Sequence, residues 1–94
     1  DELMVFGVQN YFKVWYRGAV YTLESYIPED YKMNNNVVAW IDQLGNLKFF
    51  DGQKIETISY EKVDGFEIHG STVKYWFGVN SEHVYNLGKT YKND

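Results

Sequence analysis

Apolar and polar positions alternate in short runs along the chain. Lys54-Ile55-Glu56-Thr57-Ile58 alternates strictly, and Asn46-Leu47-Lys48-Phe49-Phe50 alternates until its last pair; both have the period of two that belongs to strands. Val37-Val38-Ala39-Trp40-Ile41 and Val73-Lys74-Tyr75-Trp76-Phe77 are β-branched and aromatic runs, the composition that fits a pleated sheet. No window sustains apolar residues at i, i+3, i+4 and i+7, so the pattern predicts an all-β chain with at most one helical turn, over 28–31. Asp51-Gly52 reads as a two-residue hairpin turn. Tyr16-Arg17-Gly18 and Asn86-Leu87-Gly88 read as turns one residue longer that end in a glycine bulge. Leu44-Gly45-Asn46 reads as a further turn, and Asn34-Asn35-Asn36 and His69-Gly70-Ser71 as hairpin tips. Pro28, the one proline, falls in a connector, as strand pairing requires.

The pattern also repeats. Lys13-Val14-Trp15, Lys48-Phe49-Phe50 and His83-Val84-Tyr85 each join a basic or imidazole residue to an apolar one and an aromatic, at a spacing of 35 residues (15 to 50 to 85). A second block sets Phe6-Gly7-Val8 beside Ile41-Asp42-Gln43 and Phe77-Gly78-Val79. A third sets Ser25 to Met33 beside Ser59 to Ile68. Blocks that keep the same order and nearly the same period indicate a duplicated supersecondary unit. The expected domain is thus a single repeat array over 1–94: complete four-stranded antiparallel meanders at 31–59 and 65–92, and a partial unit at 4–24 with only the last three strands. The fourth strand of that first unit is expected before Asp1, which reads the chain as a piece of a longer array.

Tandem four-stranded units of this kind, with the phrase Val-Ala-Trp-Ile-Asp…Gly-Asn-Leu-Lys-Phe-Phe-Asp-Gly, resemble bacterial β-propeller-like repeats, and the resemblance covers residues 4–92. It implies blades stacked face to face. The doubled apolar pairs Val14-Trp15, Phe49-Phe50 and Val84-Tyr85 would then send one member toward each neighbouring blade. Departures from common propellers are the lack of a Trp-Asp or Tyr-Trp-Thr-Asp box and the short period; a blade-like open array or one curved sheet is the alternative architecture.

Charge and composition narrow the function. Lys and Arg number 9 against 13 Asp and Glu, a formal net charge of −4, which argues against a nucleic-acid binder. The absence of Cys excludes a disulfide scaffold, a thiolate metal site and a cysteine nucleophile. No apolar run reaches the roughly 18–20 residues of a membrane-spanning helix. Abundant Tyr, Asn and Gly suit a secreted or cell-envelope bacterial protein.

Candidate chemistry is sparse. Trp15, Phe50 and Tyr85 form a ladder at equivalent positions, read as blade-to-blade packing in preference to sugar stacking, and Trp40 and Trp76 are read as core. Tyr11, Tyr16, Tyr26, Tyr31 and Tyr60 lie near turns and connectors and are the candidate ligand-binding aromatics, since a tyrosine offers an apolar ring with a polar tip. His69 is expected at a hairpin tip and His83 on a solvent-facing position. No serine sits in a nucleophile elbow, no carboxylate pair suggests glycoside hydrolysis, and Asp42 reads as a turn aspartate capping its own backbone in preference to a calcium ligand. No catalytic residue, metal site or cofactor is assigned. The expected function is a non-enzymatic interaction or scaffold domain that contacts partners through blade-end loops, or self-associates through an open strand edge or terminal blade face. The alternatives are a lectin-like carbohydrate-binding module and, last, a structural part of a propeller enzyme.

Overall fold

The computed structural model describes residues 3–34, 37–78, 81–86 and 89–93, the last five as backbone only. Eleven strands form three antiparallel sheets, each a meander of sequence neighbours. The first sheet holds β1 (Met4–Val8), β2 (Tyr11–Tyr16) and β3 (Ala19–Glu24). The second holds β4 (Tyr31–Met33), β5 (Val38–Ile41), β6 (Leu47–Phe50) and β7 (Ile55–Ser59). The third holds β8 (Gly65–His69), β9 (Thr72–Phe77), β10 (Ser81–Asn86) and β11 (Lys89–Asn93). No helix occurs among the described residues, and so none is long and apolar enough to cross a membrane.

The repeat is visible in the hydrogen-bond register. Lys13 pairs with Thr22 and Lys48 with Thr57; Trp15 pairs with Val20 and Phe50 with Ile55. Both ladders slip at the same place, between Phe12 and Lys13 and between Leu47 and Lys48. One bulge at one repeat position is what a duplicated unit keeps. The ladders also correct the second sequence block. Lys13, Lys48 and His83 face Phe6, Trp40 and Tyr75 respectively, so Phe6 is equivalent to Trp40 and Tyr75, not to Ile41 and Phe77. Trp40 and Trp76 therefore occupy different repeat positions, and only Trp40 is fully buried.

Each sheet uses both faces. Leu3, Phe12, Val14 and Leu23 of the first unit pack against Val38, Trp40 and Phe50 of the second. Val37, Ala39, Leu47 and Phe49, on the reverse of the second sheet, pack against Phe66, Val73, Tyr75 and Tyr85 of the third. Adjacent residues point to opposite faces of a strand, so Phe49 and Phe50 divide between the two joints as the doubled pairs lead one to expect. The first strands of the complete units, β4 and β8, approach each other. Lys32 Nζ donates to the Phe66 carbonyl at 2.8 Å, and Asn34 Nδ2 donates to the Gly70 carbonyl. Sheets that stack face to face and converge at their first strands have the geometry of neighbouring blades; here they do not close a ring.

Turn chemistry departs from the sequence expectation. Arg17-Gly18 is the tight two-residue turn, closed by the Tyr16–Ala19 pair with both φ values positive (52° and 80°), as type I′ requires. The segment around Asp51-Gly52 has the same length, but its last ladder pair is Phe50–Ile55, leaving four residues in the loop. There Asp51 Oδ1 accepts the amides of Gln53 (2.9 Å) and Lys54 (3.3 Å). Gln9-Asn10 forms a second tight turn at φ 52° and 72° without a glycine. Asn35, Asn36, Leu87 and Gly88, named in the expected hairpin tips, lie outside the described residues.

Candidate interaction site

Between the first two blades lies a polar cluster capped by the end of β3. Trp40, wholly buried, needs a partner for its indole N–H. It donates to Glu24 Oε2 at 2.8 Å. Lys48 Nζ sits 3.2 Å from the same Glu24 oxygen and 3.2 Å from Asp42 Oδ2. Asp42 Oδ1 in turn accepts the amides of Leu44 and Asn46, both at 2.9 Å, and the Tyr26 hydroxyl accepts the Gln43 amide at 2.6 Å. Burial pushes the Asp42 carboxyl up, but the Asn46 amide, the Lys48 ammonium and the Leu44 amide outweigh it and hold the group below the usual carboxylate range. Burial likewise pushes Lys48 down, and its two carboxylates more than reverse this. Asp42 thus caps its own turn, and its oxygens are occupied by protein donors.

Over this cluster opens a cleft of about 620 Å³. Its walls are the connector Tyr26 to Asp30, the β5–β6 loop at Asp42 and Gln43, and the second connector at Lys62, Val63 and Asp64. Glu29, Asp30, Asp42 and Asp64 line it against the single cation Lys62. Asp42 is committed to Lys48 and its turn, and Asp64 Oδ2 accepts the Gly78 amide. Glu29 and Asp30 are exposed. The rim is therefore acidic and the floor apolar, through Ile27, Ile41 and Val63.

The candidate tyrosines do not gather in one place. Tyr26 lies in the cleft wall, half-buried, its phenol raised above its ordinary range chiefly by burial. Tyr11 is on the outward face of the first sheet under Lys13, whose Nζ is 5.7 Å from the ring centroid. Tyr31, on β4, tilts against Phe12 at 5.1 Å, and Tyr60 follows β7 with most of its ring exposed. Tyr16 is corrected: it is buried against the positive-φ Gly52 of the next unit, where an added Cβ would strike its ring. Trp15, expected between blades, is 41% exposed. His83, expected to face solvent, is half-buried and stacks on Tyr75 at 5.2 Å with Phe77 edge-on at 5.3 Å. An aromatic cluster stands there where the first joint has Lys48 and Trp40. The cleft itself was not legible in the sequence, because its walls come from three separate segments, although the acidic connector Pro28-Glu29-Asp30 was a usable signal.

Consecutive antiparallel meanders, stacked through both faces and drawn together at their first strands, make this a β-propeller protein. The chain belongs to the 10-bladed beta propeller domain family, whose model matches residues 1–91. Among curated proteins and among solved structures, no match to the chain was found.

Proposed function

We propose that the chain is a non-enzymatic interaction scaffold, of a secreted or cell-envelope bacterial protein, that seats a basic segment of a protein partner in the cleft between its first connectors. The acidic-rimmed cleft supports this reading: Glu29 and Asp30 stand exposed over an apolar floor, on a support stiffened by the Glu24–Lys48–Asp42 cluster. A concave site with an apolar base and few convergent charges is the usual form of a binding pocket, and complementary charge supplies orientation and association rate. Titration calorimetry with a lysine-rich peptide tests it. Binding is expected to the native chain, to weaken at least tenfold in Glu29→Lys/Asp30→Lys, and to be absent for a glutamate-rich peptide. Equal affinity for the two peptides, or for the two proteins, would overturn the reading.

A carbohydrate-binding function has one observation in its favour, the exposed rings of Tyr11, Tyr31 and Tyr60. A glycan array with Tyr11→Ala and Tyr31→Ala controls separates the two readings. Glycan binding that these substitutions abolish would favour the lectin.

A further inference from the structure

The two ends of the array carry opposite chemistry. On the second sheet, the face turned toward the first blade carries Val38, Trp40, Lys48 and Phe50. The ladder equivalents of these residues on the first sheet are Met4, Phe6, Lys13 and Trp15. In the second sheet Val38, Trp40 and Phe50 are at most 2% exposed. In the first sheet the same face is uncovered: Met4 is 58% exposed, Val20 55% and Trp15 41%. Lys48 is met by Glu24 from the preceding blade. Lys13, its equivalent, reaches only the Thr22 hydroxyl (3.1 Å) and the Tyr11 ring among the described residues.

The reverse face behaves differently at the other end. Ala39, Leu47 and Phe49 of the second sheet have Val5, Phe12 and Val14 as their equivalents in the first, and both sets are buried or half-buried in joints. In the third sheet the equivalents are Lys74, Glu82 and Val84. Lys74 and Glu82 form an ion pair at 3.5 Å, and the Trp76 ring lies across Gly65 so closely that an added Cβ there would collide with it. A charged pair at a joint position would have to be desolvated by any blade placed on it, and a polar outer face is how repeat arrays terminate.

We infer that the face of Met4, Lys13, Trp15 and Val20 is the receiving half of a blade joint, and that its occupant is a further unit of this repeat with an apolar trailing face and a carboxylate in reach of Lys13. The third unit of another copy is not that occupant, so copies of this chain do not join head to tail. This inference does not depend on the cleft. Restoring the second-sheet pattern to the third sheet with Lys74→Ala/Glu82→Leu supplies the missing occupant. In sedimentation velocity, the double variant is expected to associate at concentrations where the native chain does not, and Trp15→Lys added to it is expected to restore the native mass. Circular dichroism melts check folding, and Glu82→Leu alone is measured in the same way if the double variant melts without cooperativity. Equal masses for the native chain and the folded variant would overturn the inference. So would native association abolished by Trp15→Lys and not strengthened by the double substitution, which would assign the face to a second copy.

Discussion

At the scale of single residues, the joint between the first two blades depends on one buried indole and three charges. The Trp40 N–H is satisfied only because Glu24, at the end of the preceding blade, reaches it, and the Glu24 charge is balanced by Lys48. Removing the ammonium leaves two largely buried carboxylates facing each other. Lys48→Met is therefore expected to cost about 1–3 kcal/mol, read by urea denaturation, and Glu24→Gln, which keeps an acceptor for Trp40, less. Because Asp42 is held below its usual range, its contribution is present above the ordinary carboxylate range and is lost as pH falls through its folded value. Tyr85 gives the opposite dependence. Burial first, and then its 3.0 Å bond to Glu56 Oε2, push its phenol up to about 12. Its contribution is complete below the ordinary phenol range and is lost as pH rises through about 12. Absorbance titration at alkaline pH is expected to show a phenol ionising later than the bulk of the tyrosines, absent in Tyr85→Phe. A titration unchanged by that substitution would contradict this placement.

At the scale of elements, strand order and pairing were legible because alternation and the 35-residue repeat survive in the side chains. The lengths of the turns were not. Asp51-Gly52 has the composition of a two-residue turn, yet Asp51 spends its carboxylate on the amides of Gln53 and Lys54, which holds the loop open. Gln9-Asn10 forms a tight turn with no glycine to announce it. The slip in the Phe6 alignment has a physical source as well: the turn between β1 and β2 is a residue shorter than the loop that Asp42 organises between β5 and β6. An L-residue other than Asn pays about 1–2 kcal/mol at positive φ. Gln9→Asn/Asn10→Gly, which gives the favoured type I′ pair, is therefore expected to raise stability by about 1 kcal/mol in thermal melts. Gly52→Ala is expected to lower it by about 1–3 kcal/mol, since the backbone is at φ 96° and the Tyr16 ring fills the space. Tyr16 was misplaced in the sequence for the same reason: nothing local says that the next unit's turn will cover it.

At the scale of the whole molecule, three sheets that could not stand alone are stabilised by two shared cores, each built from the facing sides of neighbouring units. The candidate cleft exists only because those joints hold two connectors and a loop in fixed relation, and this is why single-segment patterns pointed to scattered tyrosines instead. The most direct test of the stacking is a nuclear Overhauser experiment on the Trp40 indole. The expected result is cross-peaks to the Phe12 ring of the first sheet, whose centroid lies 5.7 Å away, and from the indole N–H to Glu24, in addition to those within the second sheet. An indole whose cross-peaks stop at residues 31–59 would show that the meanders fold without packing on each other, and would contradict the account.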